Sequence, residues 1–474
     1  MKKRNLLAVL ASCAVAASMF PMTVGATGTN YSEGLTTAKT TEDKPVSNNT
    51  TEFDKYLVMD VNANVPNAAF SFAVAKYDST KDDKKVIKEA DETHLAVLNG
   101  VSGAVFTADS VKTGSETAGE VKFVQSDTAN TITEGTTGAD TAVVWNDAAS
   151  GNEKYAKKSL TLDFSGVQFD EPGVYRYLIT ETGENQGIEN DTGVASVPDD
   201  DDNETMKTYR TLDVYVEDYA GYYANLDNET KAKYPEPTGK ELLITDYVLY
   251  NGKSNDAPSK NGGTVEKSTS YTNTYTSYDL TFSKAVTGNQ GSKDKYFAFT
   301  LTIENAVAGT VYDISYADDG NANTTDGNAD AAISANPNSA TTVITEAVTQ
   351  PATIKVGAEG TVTQVFYLQN GQSIAVRGLA KDTKYTVVDG KEDYTAAYTT
   401  NDTNDTADEK TDTAANTTGI AQDVTINFTN TRQGVIPTGV ILSVAAPVVI
   451  GLAVLGGIVF LVIRNKKRDA EEEE

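Results

Sequence analysis

Three residue types recur in the same order along this 474-residue chain. Lys55 is followed by Glu181 and Asn273, and Lys284 is followed by Asp389 and Asn430. Each lysine sits in a short apolar stretch, Phe53-Asp54-Lys55-Tyr56-Leu57 or Leu280-Thr281-Phe282-Ser283-Lys284. A Phe-x-Phe stretch comes next in each case, Phe70-Ser71-Phe72 and Phe297-Ala298-Phe299. The asparagines lie in Tyr271-Thr272-Asn273-Thr274 and Phe428-Thr429-Asn430-Thr431. An ammonium group in an apolar core must be paired or must lose its proton. Once deprotonated it is a nucleophile, and a carboxyl group in the same surroundings keeps its proton to higher pH. Taken singly, each lysine reads as an exposed edge residue and each asparagine as a turn residue. Repetition of all three types in one order points instead to a shared buried arrangement.

The elements that would position these residues are strands. Leu160-Thr161-Leu162-Asp163-Phe164, Tyr175-Arg176-Tyr177-Leu178-Ile179, Leu212-Asp213-Val214-Tyr215-Val216 and Tyr385-Thr386-Val387-Val388 are short and β-prone, and Gly, Asn, Asp and Thr fill the stretches between. Helical periodicity is scarce outside the two ends. The pattern predicts an all-β protein of tandem immunoglobulin-like sandwiches. The repeat divides it into a first domain over 51–276, with large inserted loops, and a second over 277–432. Asn273 then comes just before the lysine strand of the next unit. Residues 27–50 are Thr- and Asn-rich and read as a disordered leader, and 316–340 and 399–421 read as long exposed loops.

The two termini carry processing signals. Lys2, Lys3 and Arg4 precede an apolar run from Leu6 to Phe20, and Val24-Gly25-Ala26 places small residues at a cleavage site. That is a secretory signal peptide over 1–26. Leu10-Ala11-Ser12-Cys13 is a rival lipoprotein-like box, but the apolar core runs on past Cys13. At the other end Val435-Ile436-Pro437-Thr438-Gly439, within 433–439, precedes the uncharged 24-residue run 440–463 and the charged tail 464–474. The run is long enough for a transmembrane helix, and Arg464, Lys466, Lys467 and Arg468 hold the tail in the cytoplasm.

A net charge of −28 argues against nucleic-acid binding, which needs a basic surface. The single cysteine, Cys13, falls within the signal peptide, so the mature chain has no disulfide to stabilise it. With His94 the only histidine, a Ser-His-Asp triad or a histidine-rich zinc site is nearly excluded, and His94 itself reads as a surface residue. The acidic run Asp199 to Asp202 lacks the spacing of a calcium loop, and no metal or cofactor is expected.

The Pro-Thr-Gly triple resembles the cell-wall sorting signal of Gram-positive surface proteins, in the spelling found in pilin subunits. Pro172-Gly173-Val174-Tyr175, Tyr177 and Glu181, together with Phe428-Thr429-Asn430, resemble the streptococcal backbone-pilin family. The likeness covers roughly 51–439 and fails across about 76–158 and 184–206. It implies an isopeptide bond Lys55–Asn273 promoted by Glu181, and a second, Lys284–Asn430, promoted by Asp389. Asp389 departs from the family's glutamate and is one methylene shorter; Glu392 is nearby but out of phase on the strand. The resemblance further implies cleavage after Thr438 by a sortase and joining of Thr438 to a lysine of the next subunit. Lys267 is nearest to the Asn273 strand, with Lys260 and Lys253 as alternatives. The expected product is a covalent homopolymer on the cell wall, not an enzyme. Its partners would be a pilus sortase, a housekeeping sortase, peptidoglycan, accessory pilins and host ligands. A monomeric wall-anchored adhesin is the alternative, and a wall-anchored hydrolase draws no support from the sequence.

Overall fold

In the computed structural model, the described residues are 40–434 apart from 42–43, 46, 78–85, 92–93, 108–118, 132–152, 184, 190, 192–196, 200–201, 240, 253–269 and 318–349. The expected signal peptide, Cys13, most of the leader, the sorting motif Val435 to Gly439, the transmembrane run and tail, and Lys253, Lys260 and Lys267 lie outside them. Among the described residues no helix is long and apolar enough to cross a membrane.

Among the described residues the regular elements are nearly all strands, with two short helices, Tyr219–Asn225 and Asn228–Lys231. Its buried apolar side chains fall into two large clusters. One is drawn from residues 53–275 plus Ala380, and the other from residues 280–428. The first is enclosed by two sheets. One runs in the order Ile188–Glu189, Ser270–Tyr275, Thr50–Asp60, Glu153–Asp163, Val105–Phe106. The other runs Val197–Asp199, Asp202–Asp218, Gly173–Thr182, Ala68–Lys76, Glu120–Phe123. The second cluster lies between a six-stranded sheet containing Ser277–Thr287 and Val424–Thr431 and a four-stranded sheet containing Phe297–Glu304 and Lys384–Asp389. Edge-on aromatic contacts cross from sheet to sheet, with Phe53 5.9 Å from Phe72 and Phe299 5.3 Å from Phe428.

Period-two alternation sets which residues face each core. Phe53, Leu57 and Met59 belong to the first cluster, so Lys55 lies on their face of the strand. Leu280, Phe282 and Val286 do the same for Lys284. Tyr271 and Tyr275 bracket Asn273, and Ile426 and Phe428 lead to Asn430. Tyr175, Tyr177 and Ile179 lead to Glu181, and Tyr385 and Val387 lead to Asp389.

Two parts of the sequence fold differently from expectation. Ser47 and Asn48, placed in the leader, are tied to the strand Leu242–Asn251 through Ser47 Oγ accepting from Ile244 N (2.9 Å) and Asn48 O accepting from Tyr247 Oη (2.6 Å). Residues 399–421 are an exposed loop only in part. They hold the strand Thr413–Asn416 and a buried network in which Tyr385 Oη and Asn416 Nδ2 both donate to Asp402 Oδ2, at 2.6 and 2.9 Å. Polar side chains that satisfy one another can be buried at little cost, so composition alone misled.

Only Thr276 separates the strand Ser270–Tyr275 from Ser277–Thr287. Thr276 N donates to Gly187 O (2.7 Å), and Lys381 N donates to Thr276 O (3.0 Å). Around this joint Tyr275 Oη donates to Gly378 O (3.0 Å), Asn64 Nδ2 to Val311 O (3.1 Å), and Gln186 Nε2 to Asn305 O.

Candidate functional site: two buried lysine–acid–asparagine clusters

The two clusters share one register. Lys55 pairs with Tyr271 across parallel strands, so Asn273 lies two residues beyond its partner; Lys284 pairs with Phe428, and Asn430 lies two residues beyond that. Side chains two apart on a strand share a face, so each lysine and asparagine point into the same core. The acid arrives from the opposite sheet. Glu181 pairs with Phe72 and Asp389 with Phe299, the second phenylalanine of each Phe-x-Phe stretch. The first phenylalanine lies under the amine, with Lys55 Nζ 4.3 Å from the Phe70 ring and Lys284 Nζ 4.1 Å from the Phe297 ring.

In the first unit Glu181 bridges the other two residues. Lys55 Nζ donates to its Oε2 at 2.6 Å, and Asn273 Nδ2 donates to its Oε1 at 2.8 Å. All three residues are at most 3 % exposed. Burial lowers the Lys55 pKa against the opposing pull of Glu181. Asn273 Oδ1 has no hydrogen-bond partner. A half-turn of the carboxamide would put that oxygen toward Glu181, from which a carboxylic proton would reach it and polarise the carbonyl.

In the second unit Lys284 Nζ donates to Asp389 Oδ2 at 2.5 Å. Burial pushes Lys284 down to about 8 and pushes Asp389 up, opposed in each case by the other's charge. The shorter acid does not bridge. Asp389 Oδ1 and both carboxamide atoms of Asn430 lack hydrogen-bond partners. An orphaned buried polar group costs about 1–3 kcal/mol, so this asparagine is held in an unfavourable state. Glu392 lies elsewhere, on the surface beside Lys295, at positive φ.

A neutral amine, a protonated acid and a carboxamide in one dry core can form an amide. Lys Nζ attacks Asn Cγ, the acid passes its proton to the departing nitrogen and its carboxylate takes up the proton the amine loses, the Cγ–Nδ2 bond breaks and ammonia leaves. His94 is partly exposed and lies against Asp91 at 2.8 Å.

The sequence did not single out the buried charged pairs of the first unit. Arg210 and Asp191, beside Lys55, form a buried pair at 2.6 Å, whereas Arg176 and Asp213, also paired at 2.6 Å, lie on the opposite face of the sheet that carries Glu181. Alternating strand patterns carry no mark that distinguishes a buried arginine from an exposed one.

Residues 278–432 match the family model described as Domain of unknown function (DUF7601). A curated protein named Pilin, from Streptococcus pyogenes serotype M1, is 26% identical over 323 residues, covering 66% of this chain and 73% of that protein. Two solved structures from the same organism cover 81% of this chain and 99% of their own. They are the major pilin, 21% identical with a TM-score of 0.41, and the major pilin protein T3.2, 17% identical with a TM-score of 0.41. The chain thus resembles Gram-positive backbone pilins over most of its length.

Proposed function

We propose that this chain is the structural subunit of a covalently polymerised, cell-wall-anchored pilus, built from two immunoglobulin-like domains, 51–276 and 277–432, each closed by a self-formed Lys–Asn isopeptide bond. The observation that carries this reading is the shared register. Lysine, acid and asparagine occupy matching strand positions in both units, on the same aromatic floor. Two chance burials of an ammonium group would not be expected to repeat the position of its acid, its asparagine and its ring. Lys55–Asn273 with Glu181 and Lys284–Asn430 with Asp389 are the assigned cross-links. The resemblance to a streptococcal pilin supports the polymer. A sortase would cleave between Thr438 and Gly439 and join Thr438 to Lys267, Lys260 or Lys253 of the next subunit, and the last subunit to peptidoglycan.

Two measurements test this. Intact mass of the secreted chain is expected to fall short by two ammonias, with Lys55→Ala and Lys284→Ala each restoring one. Co-expression with the cognate sortases is expected to give a high-mass ladder in wall extracts, which Thr438→Ala abolishes. A single band in place of the ladder would favour the wall-anchored adhesin.

A further inference from the structure

We propose that Arg210 and Asp191 are positioning residues for the first cross-link, acting as a side-chain clamp on the strand that carries Asn273. The inference rests on the isopeptide reading above and extends it to residues outside the triad.

Val424–Thr431 lies between Ser277–Thr287 and Thr395–Thr400, and the second of these pairs with it from Ile426 to Thr431, Asn430 included. Ser270–Tyr275 pairs with Thr50–Asp60 on one side, and on the other side, among the described residues, Ile188–Glu189 pairs with Tyr275 and Thr274. Continued in register, that antiparallel pairing would bring residue 191 opposite Thr272. Asp191 is there, and its side chain does what a neighbouring backbone would. Its Oδ2 accepts from Thr272 N at 2.8 Å. Arg210 supplies the complementary donor, giving Nε and Nη2 to Ser270 O at 3.1 and 2.9 Å. Arg210 Nη2 also donates to Asp191 Oδ2 at 2.6 Å, and its guanidinium lies 4.2 Å from the Tyr271 ring. Tyr271 Oη in turn donates to Ile179 O at 3.1 Å, on the strand that carries Glu181.

The clamp therefore grips residues 270 and 272, on either side of the residue paired with Lys55 and just before Asn273. Near-attack geometry is sensitive to small displacements, so a loose strand here would slow the reaction. Both clamp residues are at most 4 % exposed, and together they are neutral. That neutrality matters to Lys55. The charged and titratable groups around it are Glu181, Asp191, Arg210 and Tyr271. Asp191 favours the charged amine and Arg210 opposes it. Losing either half leaves the other acting on the nucleophile with opposite sign.

The test is cell-free synthesis of the full chain, quenched at intervals over a range of pH. Peptide mass spectrometry follows the Lys55–Asn273 and Lys284–Asn430 products separately, so the second bond is an internal clock. Arg210→Gln and Asp191→Asn are each expected to slow the first bond at least tenfold relative to the second in the same chain. Arg210→Gln is expected to move the alkaline limit of the first reaction to higher pH, and Asp191→Asn to lower pH. General loosening of the fold would move both the same way. Arg210→Lys keeps the charge without the planar fork, so it is expected to slow the bond and leave the pH limit in place. It also covers the case in which the glutamine variant fails to fold. Unchanged ratios, or shifts of one sign in both variants, overturn the clamp. A wild-type chain that forms neither bond overturns the isopeptide reading itself, and the clamp with it.

Discussion

Lys284 Nζ and Asp389 Oδ2 meet at 2.5 Å with neither side chain reaching solvent. Such a pair holds one proton over a range of pH, and its two apparent pKa values belong to the pair. The reactive form, neutral amine beside neutral acid, has the same proton count as the ion pair. The rate of the second bond is therefore expected to be flat through the middle of the range. Above about 8 the pair loses its shared proton, and the acid needed to polarise Asn430 goes with it. The rate falls there, and falls again in acid, where both groups are protonated. Stopped time courses of the Lys284–Asn430 product against pH check this; a rate still rising beyond the alkaline limit contradicts the acid's role.

The unbridged geometry of the second unit gives a separate expectation. Asp389→Asn preserves shape but cannot carry the proton, and the chain is expected to lose only one ammonia. Asp389→Glu restores the length that lets Glu181 reach both partners in the first unit. It is expected to form the second bond at least as fast as wild type. Quantifying the cross-linked peptide in both variants decides the matter.

The buried network around Asp402 makes a stability prediction. Asp402→Ala leaves Tyr385 Oη and Asn416 Nδ2 without the acceptor they share. A loss of about 1–3 kcal/mol is expected, since the Tyr385 hydroxyl is left buried without an acceptor while Asn416 Nδ2 keeps Gly419 O at 3.2 Å. Thermal melting should be compared in a Lys284→Ala background, where no covalent bond masks the change.

The joint between the units tolerates no side chain at Gly378. Its φ is +71°, and an added Cβ would lie 2.9 Å from both Cα and Cβ of Ala63. Gly378→Ala is expected to cost about 1–3 kcal/mol in local strain and to loosen the joint. Small-angle scattering should show a broader distribution of extended shapes, while both cross-links still form.

Much of the candidate site was legible because it repeats. One buried lysine has no signature, but Lys55 and Lys284, each ahead of a Phe-x-Phe strand and each matched to a late asparagine, can be aligned by eye. Asp389 was readable by its place in that alignment despite its different length. Asp191 and Arg210 were not, since the first lies within an inserted stretch and the second, though in phase with Leu212, Val214 and Val216, is of a residue type that gives no sign of burial. The misreading of 399–421 has the related cause that Asp402, Asn416 and Tyr385 satisfy one another only once folded. Composition records their polarity and not their partners.

The first and last strands of the second unit, Ser277–Thr287 and Val424–Thr431, are neighbours that run in the same direction, in continuous register from Leu280 and Val424 to Thr287 and Thr431. The first unit repeats the arrangement with Thr50–Asp60 and Ser270–Tyr275. A pull on the outer ends of two parallel neighbours slides one along the other, so the ladder between them resists as a set. In an antiparallel hairpin the same pull opens the rungs one after another. Each unit thus meets stretching in its stiff direction before any covalent bond is engaged, and a Lys–Asn bridge across those strands would limit the sliding to the slack of two side chains.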